Sequence, residues 1–457
     1  MNVVLISTYE LGRQPFGLAS PAAWLKREGA RVTCLDLAVQ GLDRHAIACA
    51  DLVAFYVPMH TATRIAASFV ARVKAINPRA HVCFYGLYAP VNEGYLRGLG
   101  AETILGGEFE EGLAALYQRL AANGGRARTS HQPEPHISLA RQRFLAPDRS
   151  GLPDLSKYAY LNLGDGVRRT VGYTEASRGC KHSCRHCPIV PVYDGQFRVV
   201  QRDVVLADIR QQVEAGARHI TFGDPDFFNG PGHALSLVQA LHKEFPNVTY
   251  DVTIKIEHLL RHARLLPVLR DTGCLFVTSA AESVDDEVLA ILDKRHTRQD
   301  FARAVSLLRA VGLTLCPTFV PFTPWTTLEG FLDLLDHVAR LDLIENVSPI
   351  QYAIRLLLPA GSKLLELPTV QEFVDEFDPV ALCYPWAHPD DRVDRLHAGV
   401  LAAVKEGQDR ELPRQAIFRK VWHLAREAAA SKSARFPPWD EHYLNAPIPR
   451  LSEPWYC

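Results

Sequence analysis

Nowhere in the sequence does an uninterrupted apolar run reach the length of a membrane span, and the N-terminus, MNVVLISTYELG, lacks the basic stretch and apolar core of an export signal. A cytoplasmic protein with no membrane partner is the expectation. Net charge is nearly absent too: 50 Lys and Arg stand against 51 Asp and Glu, so no basic field gathers nucleic acid and no RNA-binding extension is evident. A nucleic-acid partner is not expected. No repeat of solenoid length occurs, and the ten cysteines do not form the dense framework of a small secreted domain. Reduced thiols and a metal site fit them better.

What is present is alternation. From Val3 to about Leu120, short apolar runs (VVLIS, RVTCLDL, DLVAFYV, AHVCFYG) alternate with amphipathic stretches, which predicts a doubly wound, mostly parallel α/β domain over residues 1–122. Residues 123–165 lose the period and collect Gly, Pro, Ser and Arg, as a linker does. A second alternating series over 166–363 has strands at TVGYTEASRG, RHITFGD, VTYDVTIKI, CLFVTSA, LTLCPTFVP and SPIQYAIRL. Six strand and helix pairs make a partial (β/α)6 barrel, with chemistry expected at the C-terminal strand ends. Residues 364–457 read as a small, mostly helical region and a Cys-ended tail.

The loop after the first barrel strand holds Cys180, Cys184 and Cys187 in C-x3-C-x2-C spacing. Three thiolates so placed can each ligate one iron of a [4Fe-4S] cubane and leave the fourth iron open to a substrate. A zinc site of the same cysteines with His182 or His186 uses an ordinary ligand set as well. Zinc sites usually split their ligands into separated pairs, whereas these lie within one short loop, and the softness of the set favours iron and sulfide. No second grouped cysteine motif is present.

This spacing, with His186 just before the third cysteine, resembles the radical S-adenosylmethionine (SAM) superfamily over about residues 170–360. The resemblance implies an enzyme in which an electron delivered through the cluster breaks a carbon–sulfur bond of SAM. The substrate would be a small molecule or peptide, and the reductant a flavodoxin or ferredoxin. It implies that Gly223, Asp224, Pro225 and Asp226 meet the SAM amino group, departing from a plain Gly-Gly-Glu, and that Glu282 and Ser283, followed by Val288, Leu289 and Lys294, lie near its ribose and methionine parts. On the sixth strand, period two puts Gln351, Ala353 and Arg355 on one face. Arg355 is then a candidate grip for a carboxylate, or else a rim residue paired with an acid.

The first-domain segments Phe16–Ser20, Tyr85–Tyr88 and Leu105–Glu110 look like the cobalamin-binding domain that precedes many radical SAM barrels, although the D-x-H-x-x-G ligand motif is missing from its place. Cobalamin-assisted alkyl or methyl transfer is implied where that domain binds its ligand. The end, Ser452-Glu453-Pro454-Trp455-Tyr456-Cys457, is similar to a radical SAM group named for a CUAEP or CCAEP tail. That likeness makes Cys457 a candidate catalytic thiol, with selenocysteine next if a stop was read there. It also raises the alternative of aminocarboxypropyl transfer to a soft acceptor such as trivalent arsenic. A non-catalytic metal- or cobalamin-binding module is the contrasting expectation, and it calls for zinc.

Overall fold

The computed structural model describes residues 1–122, 134–164, 166–430 and 448–452. Its first sheet contains β1 (Asn2–Ser7), β2 (Arg31–Asp36), β3 (Leu52–Tyr56), β4 (His81–Tyr85), β5 (Thr103–Gly107) and β6 (Ile137–Ser138), in the order β2-β1-β3-β4-β5-β6. All its pairings are parallel. In β1, Val3 and Leu5 enter one core with Leu18, Leu25 and Leu113, while Val4 and Ile6 enter another with Phe55, Val70 and Phe84. A strand covered on both faces must be apolar on both, which is why VVLIS does not alternate.

Residues 134–159 are packed against both halves of the molecule. Arg149 donates from Nε to Asp208 Oδ1 at 2.6 Å and from Nη1 to Gln14 at 2.7 Å, and Lys26 pairs with Asp148 at 2.7 Å.

The second sheet contains β7 (Tyr160–Asn162), β8 (Arg168–Thr174), β11 (His219–Phe222), β12 (Thr249–Thr253), β13 (Cys274–Glu282), β14 (Thr314–Phe319) and β15 (Arg450–Leu451), in the order β14-β13-β12-β11-β8-β7-β15. A separate hairpin pairs β9 (Ser177–Gly179) with β10 (Phe197–Val199). Strands β8, β11, β12, β13 and β14 run parallel, and β7 and β15 extend the edge antiparallel. The result is a half-barrel whose helices cover its outer face around Leu237, Leu259, Phe301 and Leu335.

The expected sixth strand does not form. Pro349–Tyr352 is a turn of 3-10 helix, and a single parallel bridge, Phe322 with Arg355, is what remains of that pairing. Pro349 lacks the N–H that a ladder needs, so the period-two argument for Gln351, Ala353 and Arg355 fails. Arg355 is committed elsewhere: it donates to Asp394 at 2.5 Å and to the Trp386 carbonyl at 2.7 Å, and stacks 3.7 Å over the Trp386 ring. It is the rim residue paired with an acid.

In the C-terminal region, helices Asp391–Asp409 and Arg414–Ala428 pack on the barrel through Val400, Val404, Phe418 and Trp422. No helix among the described residues is long and apolar enough to cross a membrane.

Candidate active site

The loop from Cys180 to Gln196 leaves and re-enters through the β9–β10 hairpin, with Gly179 opposite Phe197 and Ser177 opposite Val199. Gly179 has φ +73°, and a Cβ there would stand 2.4 Å from the Tyr193 ring and 2.5 Å from the Gln196 carbonyl. Only glycine permits this entry. Asn229 secures the first cysteine, since its Oδ1 accepts from the Lys181 N–H at 3.1 Å and stands 3.9 Å from the Cys180 sulfur. Arg185 secures the other side, donating from its backbone N–H to the Leu292 carbonyl at 3.0 Å and from its side chain to the Ile291 carbonyl at 2.7 Å.

Burial pushes the Cys180 thiol up to about 11 and the Cys187 thiol up to about 12. Thiols held that high are poor nucleophiles at neutral pH and become thiolates on binding a cation. Tetrahedral zinc with Zn–S bonds of ordinary length would bring sulfurs to about 3.8 Å from one another. Among the described residues, the ligand atoms that lie within 4.8 Å of one another as a set are those of Cys180, His182 and Asp226, not the three thiols. His182 is drawn instead to Asp226 (3.3 Å) and Glu257 (3.6 Å), with His258 a further 2.7 Å partner of Asp226. The wider spread of the thiols suits the corners of a cubane.

Beside the loop, Glu282 ends β13 in the left-handed region at φ +65°, an expensive conformation for a non-glycine residue. Its Oε1 lies 3.1 Å from His186 Nε2 and 3.2 Å from Lys294 Nζ. Burial alone would raise this carboxyl, but Lys294 and His186 outweigh it and hold it at about 2. Buried Nδ1 atoms of His186 and His296 have no hydrogen-bond partner among the described residues. A polar ligand against this cluster would satisfy them. Ser283 accepts from the Asp285 N–H at 3.0 Å and shapes the turn before helix Asp286–Ile291.

Asp224 and Asp226 are engaged within the protein. Asp224 accepts from the Ala176 N–H at 2.9 Å and from the Ser177 hydroxyl at 2.5 Å, and burial, opposed by these bonds, brings it up to about 7. Asp226 accepts from the Phe228 N–H at 3.1 Å and faces His182 and His258. Gly223, Asp224 and Pro225 nevertheless line a cavity of about 580 Å³ that fills the half-barrel. These contacts place the motif between the cysteine loop and the lumen.

Residues 174–338 match the model of the radical SAM superfamily. The chain carries a radical SAM domain. Such a domain takes a [4Fe-4S] cluster and SAM, and the residues fit them: Cys180, Cys184 and Cys187 would hold the cluster, and the unpartnered ring nitrogens of His186 and His296 could meet a polar ligand. Among curated relatives, the hopanoid C-3 methylase of Methylococcus capsulatus is 24% identical over 254 residues, covering 54% of this chain and 47% of the relative. The ribosomal protein uS12 methylthiotransferase RimO of Pelotomaculum thermopropionicum is 22% identical over 225 residues, covering 45% and 49%. The chain thus spans about half the length of the curated relatives it matches.

Two solved radical SAM structures share the fold more widely. The cobalamin-dependent enzyme OxsB, with aqua-cobalamin bound, superposes with a TM-score of 0.68 at 15% identity, over 92% of this chain and 70% of OxsB. The methyltransferase TsrM from Kitasatospora setae, with tryptophan and a SAM analogue, gives 0.61 at 17%, over 80% and 75%.

The first domain turns its strand ends toward the cysteine loop. Tyr88, just beyond β4, is raised by burial first and by the nearby Cys187 second. The glycines of this domain serve its own packing, however. A Cβ on Gly17 would meet the Tyr56 ring at 2.2 Å, one on Gly106 would meet Pro90 at 2.0 Å, and one on Gly107 would meet the Ser138 carbonyl at 2.2 Å. His60 does not offer a free ring, because its Nε2 lies 2.6 Å from the Ala381 carbonyl. These three glycines are taken up by packing within the domain.

Sequence reasoning missed Asn229, His258, His296 and the salt bridges of Arg178. Arg178 lies two residues before Cys180 and reaches Glu110 at 2.6 and 2.9 Å, Glu175 at 2.7 Å and Glu108 at 3.4 Å. Glu108 and Glu110 follow β5 of the first domain and Glu175 follows β8 of the barrel, and no local pattern announces them. Cys457 lies outside the described residues.

Proposed function

We propose that this protein is a radical SAM enzyme that cleaves SAM reductively and modifies a small polar molecule or peptide by alkyl or methyl transfer. The observation that carries the reading is a half-buried C-x3-C-x2-C loop, with Cys184 buried, set against the Glu282, His186 and Lys294 triad. When bound, the cluster supplies the electron that breaks a carbon–sulfur bond of SAM. The chain's own residues do the rest. Asn229 and Arg185 fix the loop, Glu282 stays ionised at the top of β13 to receive donors, and Lys294 balances the thiolates and Glu282.

Cobalamin at the strand-end face of the first domain belongs to the same proposal. It is supported by the parallel sheet, whose strand ends face Cys187, and by the fold shared with OxsB and TsrM, both bound to cobalamin in solved structures.

The test is anaerobic reconstitution of wild type and Cys184→Ala, followed by iron and sulfide analysis and incubation with SAM and dithionite. About four irons per chain and 5′-deoxyadenosine from wild type alone support the reading. Methylthioadenosine as the product would move it to aminocarboxypropyl transfer, and zinc, or equal SAM survival in both proteins, would overturn it. Hydroxocobalamin binding, followed by absorbance, is expected to survive His60→Ala.

A further inference from the structure

Inward-facing positions of the half-barrel are polar where a filled barrel core would be aliphatic. Thr221 of β11, Thr253 of β12, Thr278 of β13 and Thr318 of β14 all line the cavity of about 580 Å³. At its far end two cations join them. Arg414, the first residue of helix Arg414–Ala428, and Arg450 of β15 both line the same cavity as Gly223 and Asp224.

Among the described residues, the carboxylate beside these two cations is that of Glu345. Arg450 is salt-bridged to the Glu345 side chain, and Arg414 donates to the Glu345 backbone carbonyl at 2.5 Å. Among the described residues Arg414 has no carboxylate at ion-pair distance, so Glu345 alone serves two guanidinium groups. Burial first, and the neighbouring Arg450 second, push Arg414 down to about 10. Arg414 is half-buried, and a partly desolvated cation without a counter-charge is costly to keep, so an anion entering the cavity would supply the partner.

Position along the strands separates this end from the SAM pocket. Cys316, near enough to Arg414 to influence its charge, is level with Thr278 across the β13–β14 register. Glu282 stands four residues further along β13, about 13 Å at ordinary strand rise. An anion gripped by Arg414 therefore sits well away from Glu282, with Thr253 and Thr278 level with Cys316 and Thr318 two residues further toward Glu282.

We propose that the Arg414 end of the lumen is an anchor for an anionic group of the substrate, a carboxylate or a phosphate, held by Arg414 with Arg450 beside it. The proposal rests on the radical SAM reading for calling the ligand a substrate. It narrows that substrate to an acidic small molecule that reaches from Arg414 past the threonine hydroxyls toward Glu282.

The test is calorimetric titration of the cluster-reconstituted, SAM-loaded protein with glutarate, inorganic phosphate and the neutral analogue glutaramide. Wild type is expected to bind at least one anion about tenfold or more tightly than glutaramide, and Arg414→Gln to weaken that binding by about tenfold, as loss of a charge-assisted contact does. The preferred anion distinguishes carboxylate from phosphate. Equal binding of anions and glutaramide, or unchanged anion binding in Arg414→Gln, overturns the proposal.

If circular dichroism shows Arg414→Gln to be unfolded, Arg414→Lys and Arg450→Gln decide. Retention in the lysine variant with loss in Arg450→Gln supports the anchor, and retention in both overturns it. Anion selectivity in a wild-type protein that assembles no cluster and cleaves no SAM would leave the anion site standing and sink the radical SAM reading instead.

Discussion

Gly179 shows how narrowly a single position controls the cysteine loop. A methyl group there collides with a backbone carbonyl as well as a ring, and the residue already uses a left-handed φ of +73°. Gly179→Ala is expected to destabilise the protein by about 1–3 kcal/mol in urea denaturation and to lower iron retention after reconstitution. Iron content equal to wild type would show that the loop tolerates a different entry. Glu282 is the complementary case, a strained residue kept because its carboxylate must meet His186 and Lys294 at once. Its likeness to an E-S…K stretch was legible in the sequence. Its contact with His186, 96 residues distant in the chain, was not, because only the fold brings the cysteine loop over β13.

At the scale of elements, β9 is a short strand whose hold on the molecule is ionic. Its Arg178 is buried among Glu108, Glu110 and Glu175, so Arg178→Met leaves buried carboxylates without their counter-ion. A loss of about 3–5 kcal/mol is expected, read from the denaturation midpoint; a loss below about 1 kcal/mol would mean that the acids simply take up protons. Helix Arg298–Val311 begins with a capping box in which the Thr297 side chain accepts from the Asp300 N–H and Asp300 bonds back to the Thr297 N–H. Thr297→Ala is expected to lower stability by about 1 kcal/mol with cluster content unchanged, and a change in iron count would show coupling that the geometry does not contain. Such caps are local and legible in T-R-Q-D. The missing sixth strand was not, because Pro349 turns the chain into 3-10 helix and Arg355 finds Asp394 and Trp386 in a region the strand reading did not connect.

Across the whole molecule, the first domain and the barrel meet through a proton. Arg178 grips Glu110 in two bonds and holds it low, while Glu108, farther from Arg178 and bonded by the Tyr193 hydroxyl at 3.0 Å, is brought up to about 7, with burial the largest cause. A carboxyl with a raised folded value binds more protons in the native than in the unfolded chain. Its stabilisation is therefore present below about 4.3, the ordinary glutamate value, and is lost as pH rises through about 7, with a slope of at most about 1.4 kcal/mol per pH unit. Glu108→Gln is expected to lose stability less steeply than wild type between pH 5 and 7, in urea midpoints taken at each pH. Parallel slopes would place the proton elsewhere, Asp224 being the other carboxyl brought to about 7.

The sequence by itself determined the two alternating α/β units and the cysteine triplet, because hydrophobic period and ligand spacing are properties of neighbouring residues. It also carried, unread, the polar alternation of Thr221, Thr253, Thr278 and Thr318, which marks a hollow lumen rather than a filled one. The tertiary structure alone decided which charges meet. Arg178 joins acids of the first domain and of the barrel, the first-domain glycines pack against Tyr56, Pro90 and Ser138, and Arg414 and Arg450 share Glu345 at the end of the cavity. The physical reason is that electrostatic partnership depends on distance and burial in space, and the chain separations involved, up to 105 residues between Glu345 and Arg450, leave no trace in local pattern.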